Sequence, residues 1–352
     1  MAKIRDLAAH LESIAPPGYQ ESYDNAGLIV GNPEEEVTGV LFCLDSTEAV
    51  VEEAIEKQCN LIVAHHPIVF RGLKRLTGSS YVERVVIQAI RHGIAIYAIH
   101  TNLDNVYHEG VNGRIAGRLG LIDTHILAPK ANLKKLSVMA PQSRRESLRA
   151  ALITAGAERV TAGEQASYFP FEGEVASGGE TATVKLEALF PSGRERQILA
   201  ALQASANGQQ LAYELVSIEN TNPGVGSGLV GRLPEPMPEK AFLQHLKTKM
   251  NTGCIRHTKL LGQPVETVAL CGGSGGFLLG NAKAARAQFF VTADYKYHEF
   301  FDADGQIVIA DIGHYESEQF TIELLYDIIS QKFSNFAVHC TEAITNPVHY
   351  FH

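Results

Sequence analysis

Residues 37–66, VTGVLFCLDSTEAVVEEAIEKQCNLIVAHH, decide the fold class of this chain. The stretch starts and finishes with apolar, β-branched runs that are typical of strands. Between these runs, apolar residues recur at helical spacing from Val50 to Ile55, which predicts an amphipathic helix. Two continuous apolar strands joined by such a helix indicate a parallel sheet that is covered on both faces.

The same alternation of strand and helix occupies the first and last thirds of the sequence. Residues 79–93 have the pattern of a helix and residues 94–104 that of a strand. Strands and helices alternate again from residue 265, with one long helix predicted over 315–333 and a last strand over 336–343 that completes the sheet. The predicted fold class is therefore α/β, with a mostly parallel sheet covered by helices.

The middle of the sequence follows a different order. Two strand-helix-strand patterns of about 40 residues each predict an inserted, ferredoxin-like α+β domain. Turn-rich segments, LAPKANL before it and NTNPGVGSG after it, mark its edges. The predicted domains are residues 1–127 and 224–352, which form the two halves of the core, and residues 128–223, which form the insertion.

Composition excludes several classes of protein. The 352 residues are 45% hydrophobic and 20% charged, as in a globular protein, and the net charge of −9 argues against nucleic-acid binding and against adhesion to anionic membranes. No stretch matches a membrane span, and the N-terminal residues lack the apolar core of a secretory signal. Five scattered cysteines without a C-x-x-C pair indicate free thiols, so we expect a cytoplasmic protein.

Histidines and carboxylates follow three of the predicted strands, at the strand ends where the ligands of parallel sheets collect. Their nitrogen and oxygen atoms suit Zn²⁺, Fe²⁺, Mn²⁺ or Co²⁺, and the lack of thiolates argues against a structural zinc site. If Glu318 bridges with both carboxylate oxygens, two divalent ions could share a water. The residues are His65 and His66 after one strand, His100 and Asp104 after the next, and His314 with Glu318 one helical turn later.

Each of these motifs also has an explanation without a metal. HTNLD could form an Asx turn after a strand, and HYESE could be a helix N-terminus, where acidic residues are favoured. Glu316 competes with Glu318, but it lies two residues after His314 and points away from that face. Asp45 and Thr47 also follow a strand, where helix capping accounts for them.

The glycine-rich segment CGGSGG, residues 271–276, allows two interpretations. It could cradle a nucleotide phosphate, or it could turn tightly and bring the backbone close to the metals. The segment matches neither G-x-G-x-x-G nor a Walker loop. Nearby, His298 could be a catalytic acid or a surface residue, and His100 could be catalytic or could orient a ligand.

Seven motifs resemble, in order, those of the NIF-three-like dinuclear-metal proteins, a family often labelled GTP cyclohydrolase 1 type 2 homolog. This resemblance implies a cytosolic oligomer, commonly a ring-shaped hexamer, that holds two metal ions per chain with Glu318 as the bridge. We further predict that His65 and His66 serve different ions. The motifs are SYDNAGLIVG, LDSTEAVVEEA, LIVAHHPIVF, AIHTNLD, CGGSGG, VTADYKYHE and DIGHYESE. The implied metal ligands are His65, His66, Asp104, His314 and Glu318.

The middle segment resembles the PII-like insertion of the longer family members, with two departures. The extended glycine-rich stretch of those members is shortened here to SYFPFEGEVASGGET, residues 167–181. ASANGQQLAYEL, residues 204–215, stands where they carry a His-Pro-Tyr-Glu-Glu run. We therefore expect the insertion to serve shape, access to the inner cavity or subunit contact.

Two functions would use the predicted metal site equally well. The first is a metal-dependent hydrolase of a nucleotide-like or heterocyclic small molecule, with His298 and His100 as candidate catalytic residues. The second is a metal-dependent binding protein, metal carrier or regulatory scaffold that does no chemistry. A third possibility, a nucleotide-binding regulator, would work through CGGSGG and the insertion.

Overall fold

The computed structural model describes residues 2–163, 183–206, 208 and 211–351. Contacts divide the chain into two compact units, one made of Met1–Pro129 with Pro223–His352 and the other of Lys130–Asn222. Within the described residues, no helix has the length and apolar character needed to cross a membrane.

The helices and strands are numbered here along the chain. The helices are α1 (Ile4–Ile14), α2 (Glu48–Glu56), α3 (Tyr81–Arg91), α4 (Thr101–Asp104), α5 (Val111–Leu119), α6 (Arg145–Thr154), α7 (Glu195–Ser205), α8 (Glu239–Lys249), α9 (Leu279–Ala284), α10 (His314–Glu318) and α11 (Thr321–Lys332). The strands are β1 (Gly27–Val30), β2 (Gly39–Cys43), β3 (Leu61–Ala64), β4 (Ala95–Ala98), β5 (Ile122–Lys130), β6 (Leu133–Pro141), β7 (Arg159–Gly163), β8 (Thr183–Pro191), β9 (Tyr213–Ile218), β10 (Asn222–Met237), β11 (Arg256–His257), β12 (Val265–Ser274), β13 (Phe289–Ala293), β14 (Val308–Asp311) and β15 (Ala337–Cys340).

The first unit contains two sheets. One has the strand order β1-β4-β3-β2-β15, in which β4, β3, β2 and β15 are parallel and β1 is antiparallel to β4. The other has the order β11-β14-β13-β12-β10-β5, with β12, β13 and β14 parallel and β10 and β11 antiparallel to their neighbours. Both sheets are thus parallel at their centres and antiparallel at some of their edges.

A shared hydrophobic core lies between the two sheets. Alternate strand residues face opposite sides, so Phe42 of the first sheet and Phe289 of the second both enter this core, with side chains from α1, α5, α8 and α11. The outer face of the first sheet packs Leu41 and Ile62 against α2 and α3, and the outer face of the second packs Phe290 against α9. The order of layers is helix, sheet, helix, sheet, helix.

The predicted α/β class is confirmed, although the parallel strands belong to two sheets rather than one. The last strand, β15, joins the first sheet beside β2, whereas β12, β13 and β14 form the second. A strand that is buried on both faces has the same apolar pattern in either sheet, so the sequence pattern does not assign strands to sheets.

Three local predictions differ from the structure. Residues 94–104 are not one strand, because β4 ends at Ala98 and the short helix α4 follows. The long helix predicted over 315–333 is two helices, α10 and α11. The segment NTNPGVGSG is not a turn but the start of β10, and its Gly226 lets the backbones approach, since a Cβ there would lie 2.3 Å from the Ala128 carbonyl oxygen.

The second unit has the order β6-α6-β7-β8-α7-β9 and a sheet ordered β7-β8-β6-β9 with antiparallel neighbours. This arrangement is ferredoxin-like, as predicted. Both helices pack on one face, where Leu148 and Leu202 meet Leu136 and Phe190 of the strands. The shortened stretch at 167–181 lies outside the described residues, as do residues 207, 209 and 210 of the segment 204–215.

Candidate metal centre

The five predicted metal ligands meet at one place, where both sheets of the first unit contribute. His65 and His66 directly follow β3, and Asp104 ends α4, which follows β4. His314 begins α10 and Glu318 ends it, just after β14 of the second sheet. The carboxyl ends of parallel strands therefore converge here, as expected for an α/β protein.

Glu318 lies at the centre of this cluster. Its Oε2 is 2.9 Å from His66 Nε2 and 3.0 Å from His314 Nε2, and these two nitrogens are 3.3 Å apart. Its Oε1 faces His65 Nε2 at 3.9 Å. One ligand atom from each of His65, His66 and Glu318 lies within 4.8 Å of the others. The two oxygens of one carboxylate thus face different imidazoles.

Two buried polar atoms of the cluster have no hydrogen-bond partner among the described residues. They are His65 Nε2 and Asp104 Oδ1, which lie 3.5 Å apart. Burial and the nearby charge of Glu318 raise the pKa of Asp104 well above its usual range. Unpaired buried polar atoms are costly, and an imidazole nitrogen facing a carboxylate oxygen is a donor set that divalent cations accept. The residues present therefore fit a metal ion.

The histidines of the cluster, and His100 beside it, share one orientation. Each donates from Nδ1 to an oxygen acceptor, which leaves Nε2 as the ligating or reacting nitrogen. Fixing the ring in this way is what metal-ligating histidines require. The pairs are His65 with the Ile99 carbonyl at 2.8 Å, His66 with Asp45 at 2.8 Å, His314 with Asp294 at 2.7 Å and His100 with Asp24 at 2.8 Å.

Without a metal ion, protons on the imidazoles balance the negative charge of the carboxylates in the cluster. Burial lowers the pKa of His66, but Asp45 and Glu318 raise it to about 9. Burial likewise lowers the pKa of His314, but Glu318 and Asp294 raise it to about 11. Burial raises the pKa of Glu318, yet the surrounding imidazoles hold it well below its usual range. A divalent cation would replace the imidazole protons.

A cavity of about 1020 Å³ opens over the cluster. Residues of both sheets line it, including His66, His100 and His314. Aromatic side chains line it as well, among them Phe70, which packs edge-on against His100 with the ring centres 5.5 Å apart, and the exposed Phe277. The cavity combines a polar floor with apolar, planar walls, as small-molecule sites do.

The model of the Duf34/NIF3 (NGG1p interacting factor 3) family matches residues 2–347, nearly the whole chain. The chain belongs to the Duf34/NIF3 family.

Individual members of the Duf34/NIF3 family align over most of the chain. A Bacillus subtilis protein named GTP cyclohydrolase 1 type 2 homolog is 33% identical and is matched over 96% of this chain and 95% of its own length. A protein of the same name from Halalkalibacterium halodurans is 32% identical over 86% of each chain. The crystal structure of a Bacillus cereus protein related to NIF3 superposes with a TM-score of 0.83 at 30% identity, covering 99% of both chains.

The two histidines predicted to be catalytic lie in different surroundings. The His100 ring centre is 5.4 Å from those of both His65 and His66, inside the cavity of this Duf34/NIF3 protein. His298 is exposed in the 3-10 helix Tyr297–Ala303, and it is absent from the cavity lining that the described residues form. The fold therefore brings His100, and not His298, to the cluster.

Three carboxylates accept hydrogen bonds from histidines, a role that the sequence analysis did not assign to them. They are Asp24, Asp45 and Asp294. Capping does not account for Asp45, because Thr47 caps α2 by accepting from Val50 N, while Asp45 accepts from His66 and from Thr345. Asp45 leaves β2 at the same sheet edge at which His66 leaves β3. The sequence could have indicated the pairing of Asp45 with His66, since side chains that follow neighbouring parallel strands meet at one edge of the sheet.

The glycine-rich segment 271–276 lies against the cluster at the end of β12, where the register with β13 shifts. Its backbone N–H groups are already used inside the protein, since Gly272 donates to Asn112, Gly273 to Ser317 and Gly275 to Thr292. These three amides do not form a phosphate cradle. Of the two interpretations, the contacts favour a backbone that comes close to the site, although most of the segment is the end of a strand and not a tight turn.

We expect Asp24→Asn to lower the free energy of unfolding by about 2 kcal/mol at pH 7. Burial raises the pKa of Asp24, whose side chain is 0% exposed, but hydrogen bonds from His100 and Thr101 lower it to about 2 from the usual 3.8. A carboxylate with a lowered folded-state pKa stabilises the protein above about pH 4 and loses this contribution as the pH falls toward about 2. Urea unfolding of metal-free protein from pH 7 to pH 3 measures the difference.

The exposed carboxylate variant Asp302→Asn is the control and should match wild type throughout this range. A difference between Asp24→Asn and wild type that stays constant down to pH 3 would contradict the assignment of a low pKa to Asp24.

Proposed function

We propose that this Duf34/NIF3 protein holds two divalent metal ions and hydrolyses a nucleotide-like or heterocyclic small molecule. The observation that carries the proposal is the position of Glu318. Its Oε2 lies within hydrogen-bonding distance of the His66 and His314 Nε2 atoms, and its Oε1 faces the unpaired His65 Nε2. A bridging carboxylate between two sets of ligands is typical of dinuclear hydrolases.

His66 and His314 would hold one ion together with Glu318 Oε2. Their Nε2 atoms are 3.3 Å apart, and two nitrogen ligands of one tetrahedral ion lie about 3.3 Å apart. His65 and Asp104 would hold the second ion with Glu318 Oε1, which would pair their otherwise unpartnered buried atoms. Zn²⁺, Fe²⁺, Mn²⁺ and Co²⁺ all accept this set of nitrogen and oxygen ligands.

The chain's own residues would position and protonate the substrate. Bound ions would supply Lewis acidity and lower the pKa of the attacking water. His100 donates from Nδ1 to the ionised Asp24, so its Nε2 can take a proton from a reacting group in the cavity and return it to the leaving group. Phe70 and Phe277 offer flat apolar surface against which a heterocycle can pack.

The test is hydrolysis by the metal-loaded chain on a panel of nucleotides and related heterocycles that includes GTP. We expect turnover that disappears on chelation and returns when metal is added back. His100→Gln should lower kcat by about 10²-fold or more, while His298→Gln, changed outside the cavity, should leave it unaltered. Turnover that survives in metal-free protein, or that is lost equally in both variants, would contradict the proposal.

The alternative is a binding protein, a metal carrier or a regulatory scaffold that uses the same ligands without chemistry. One observation favours it, namely that only one of the two predicted acid–base histidines lies in the cavity. Metal-loaded wild type that binds members of the panel but turns over none of them would support this alternative.

We also propose that the chain works as a cytoplasmic homo-oligomer, a hexamer by family resemblance, in which the insertion predicted at residues 128–223 serves subunit contact or access. All five cysteines are free thiols, which suits a reducing compartment. A monomeric mass in light scattering would contradict the assembly.

A further inference from the structure

Arg256 carries a guanidinium group that the fold holds at the edge of the metal cavity. It lies on β11, the edge strand that pairs with β14 through Arg256 and Asp311. Its Nη2 donates to Asp311 Oδ2 and, at 3.0 Å, to the Tyr295 carbonyl oxygen. The guanidinium carbon also lies 5.5 Å from the centre of the Phe300 ring. The group is therefore fixed in place before any ligand arrives.

The remaining donors of Arg256 are available to a ligand. Nε and Nη1 have no partner among the described residues, and the side chain is 55% exposed although it lines the cavity. Asp311 does not depend on this arginine alone, because its carboxylate also accepts from the backbone N–H groups of Tyr295 and Gly313. Asp311 and Tyr295 thus account for Nη2 and leave the N–H groups of Nε and Nη1 without an assigned role.

The charge of the cavity makes this position distinctive. Within the described part of the chain, Arg71 and Arg256 are the lining residues with a permanent positive charge, among several carboxylates. Of the two, Arg256 is held by a buried carboxylate, whereas Arg71 lies in the exposed loop after β3. Asp311, which holds Arg256, also accepts from the backbone N–H of Gly313, the residue before His314.

We propose that Arg256 binds the phosphate of the substrate while the reacting end of the molecule lies at the metal centre. This inference rests on the proposed function, and it names the substrate class as a phosphate-bearing heterocycle. The N–H groups of Nη1 can donate to a phosphate oxygen, and a preformed cation at a cavity wall is the usual means of selecting an anionic ligand.

The experiment measures binding of four nucleoside monophosphates and their parent nucleosides to the metal-loaded full chain by calorimetry. The quantity compared is the ratio of nucleoside Kd to monophosphate Kd. We expect at least one pair with a ratio of about ten or more in wild type and a ratio close to 1 in Arg256→Gln. Arg232→Gln is the matched control, because Arg232 is 54% exposed, lies on the same sheet and is paired with Glu266 outside the cavity.

Phosphate binding by the metal ions alone would give the same ratio in Arg256→Gln as in wild type, and this result would overturn the proposal. The absence of any monophosphate binding would also overturn the proposal, as would an equal fall of the ratio in Arg232→Gln. If Arg256→Gln fails to fold, Arg256→Met decides, because its unbranched side chain can still pack near Phe300 but carries no charge. An unchanged ratio in Arg256→Met would then reject the phosphate site.

Failure of this inference and failure of the hydrolase are separable. Phosphate-selective binding that depends on Arg256 but occurs without turnover would support the phosphate site and contradict the proposed hydrolase activity. Turnover of a substrate without phosphate, at equal rates in wild type and Arg256→Gln, would support the proposed hydrolase activity and contradict the phosphate site.

Discussion

Glu318→Gln is expected to reduce the metal content of the chain from its wild-type value to near zero. Glu318 offers one oxygen to His66 and His314 and the other to His65, so its loss weakens both proposed ion positions at once. Glutamine keeps the size of the side chain but removes its negative charge and one of its acceptors. Elemental analysis of protein purified under identical conditions measures the change.

Glu316→Gln provides an unusually close control for this experiment. Glu316 is also buried and lies in the same short helix, but its carboxylate accepts from Asn346 and not from a histidine of the cluster. We therefore expect Glu316→Gln to retain its metal. Equal metal content in Glu318→Gln and wild type would refute the central role given to Glu318, and equal loss in both variants would show that helix α10 had been disturbed instead.

Gly273→Ala is expected to lower the free energy of unfolding by about 2–4 kcal/mol and to weaken metal binding by more than tenfold. Gly273 has a φ of +61°, which disfavours any residue with a Cβ. A Cβ at this position would lie 2.4 Å from Glu318 Oε1, so the carboxylate must move away from His65. Chemical denaturation and metal titration of the same preparation measure the two effects together.

Gly280→Ala is the matched control, because a Cβ at this position would meet open space. Gly280 lies in α9, its φ is not positive, and a Cβ there would meet no atom within 4 Å. Alanine in a helix is favoured over glycine by about 1 kcal/mol, so this variant should be as stable as wild type or more so. Unaltered metal affinity in Gly273→Ala would mean that the backbone at Gly273 does not constrain Glu318.

The meeting of the five candidate ligands was predictable because their positions follow from strand ends. His65 and His66 interrupt an apolar run, and Glu318 lies one helical turn after His314, so sequence spacing alone aligns the two side chains. The α/β class was predictable for a similar reason, since buried parallel strands leave continuous apolar runs. Both inferences depend only on local periodicity and on the geometry common to parallel sheets.

The remaining features depend on contacts between distant parts of the chain. The assignment of β15 to one sheet and β14 to the other is a tertiary choice that leaves the apolar pattern of either strand unchanged. His298 lies away from the cluster for a local reason, because the chain turns at Asp294, whose φ is +59°, and then enters an exposed 3-10 helix. The turn leaves Asp294 bonded to His314 and carries His298 away.

Both sheets contribute residues to the cluster, so the order of synthesis determines when the site can form. His66 and Glu318 are separated by 252 positions, with the whole insertion between them. A nascent chain that has released only β1 to β4 and α4 offers His65, His66 and Asp104 but lacks His314 and the central carboxylate of Glu318. Capture of the proposed ions would therefore be a late event of biogenesis, because it needs residues from both ends of the chain.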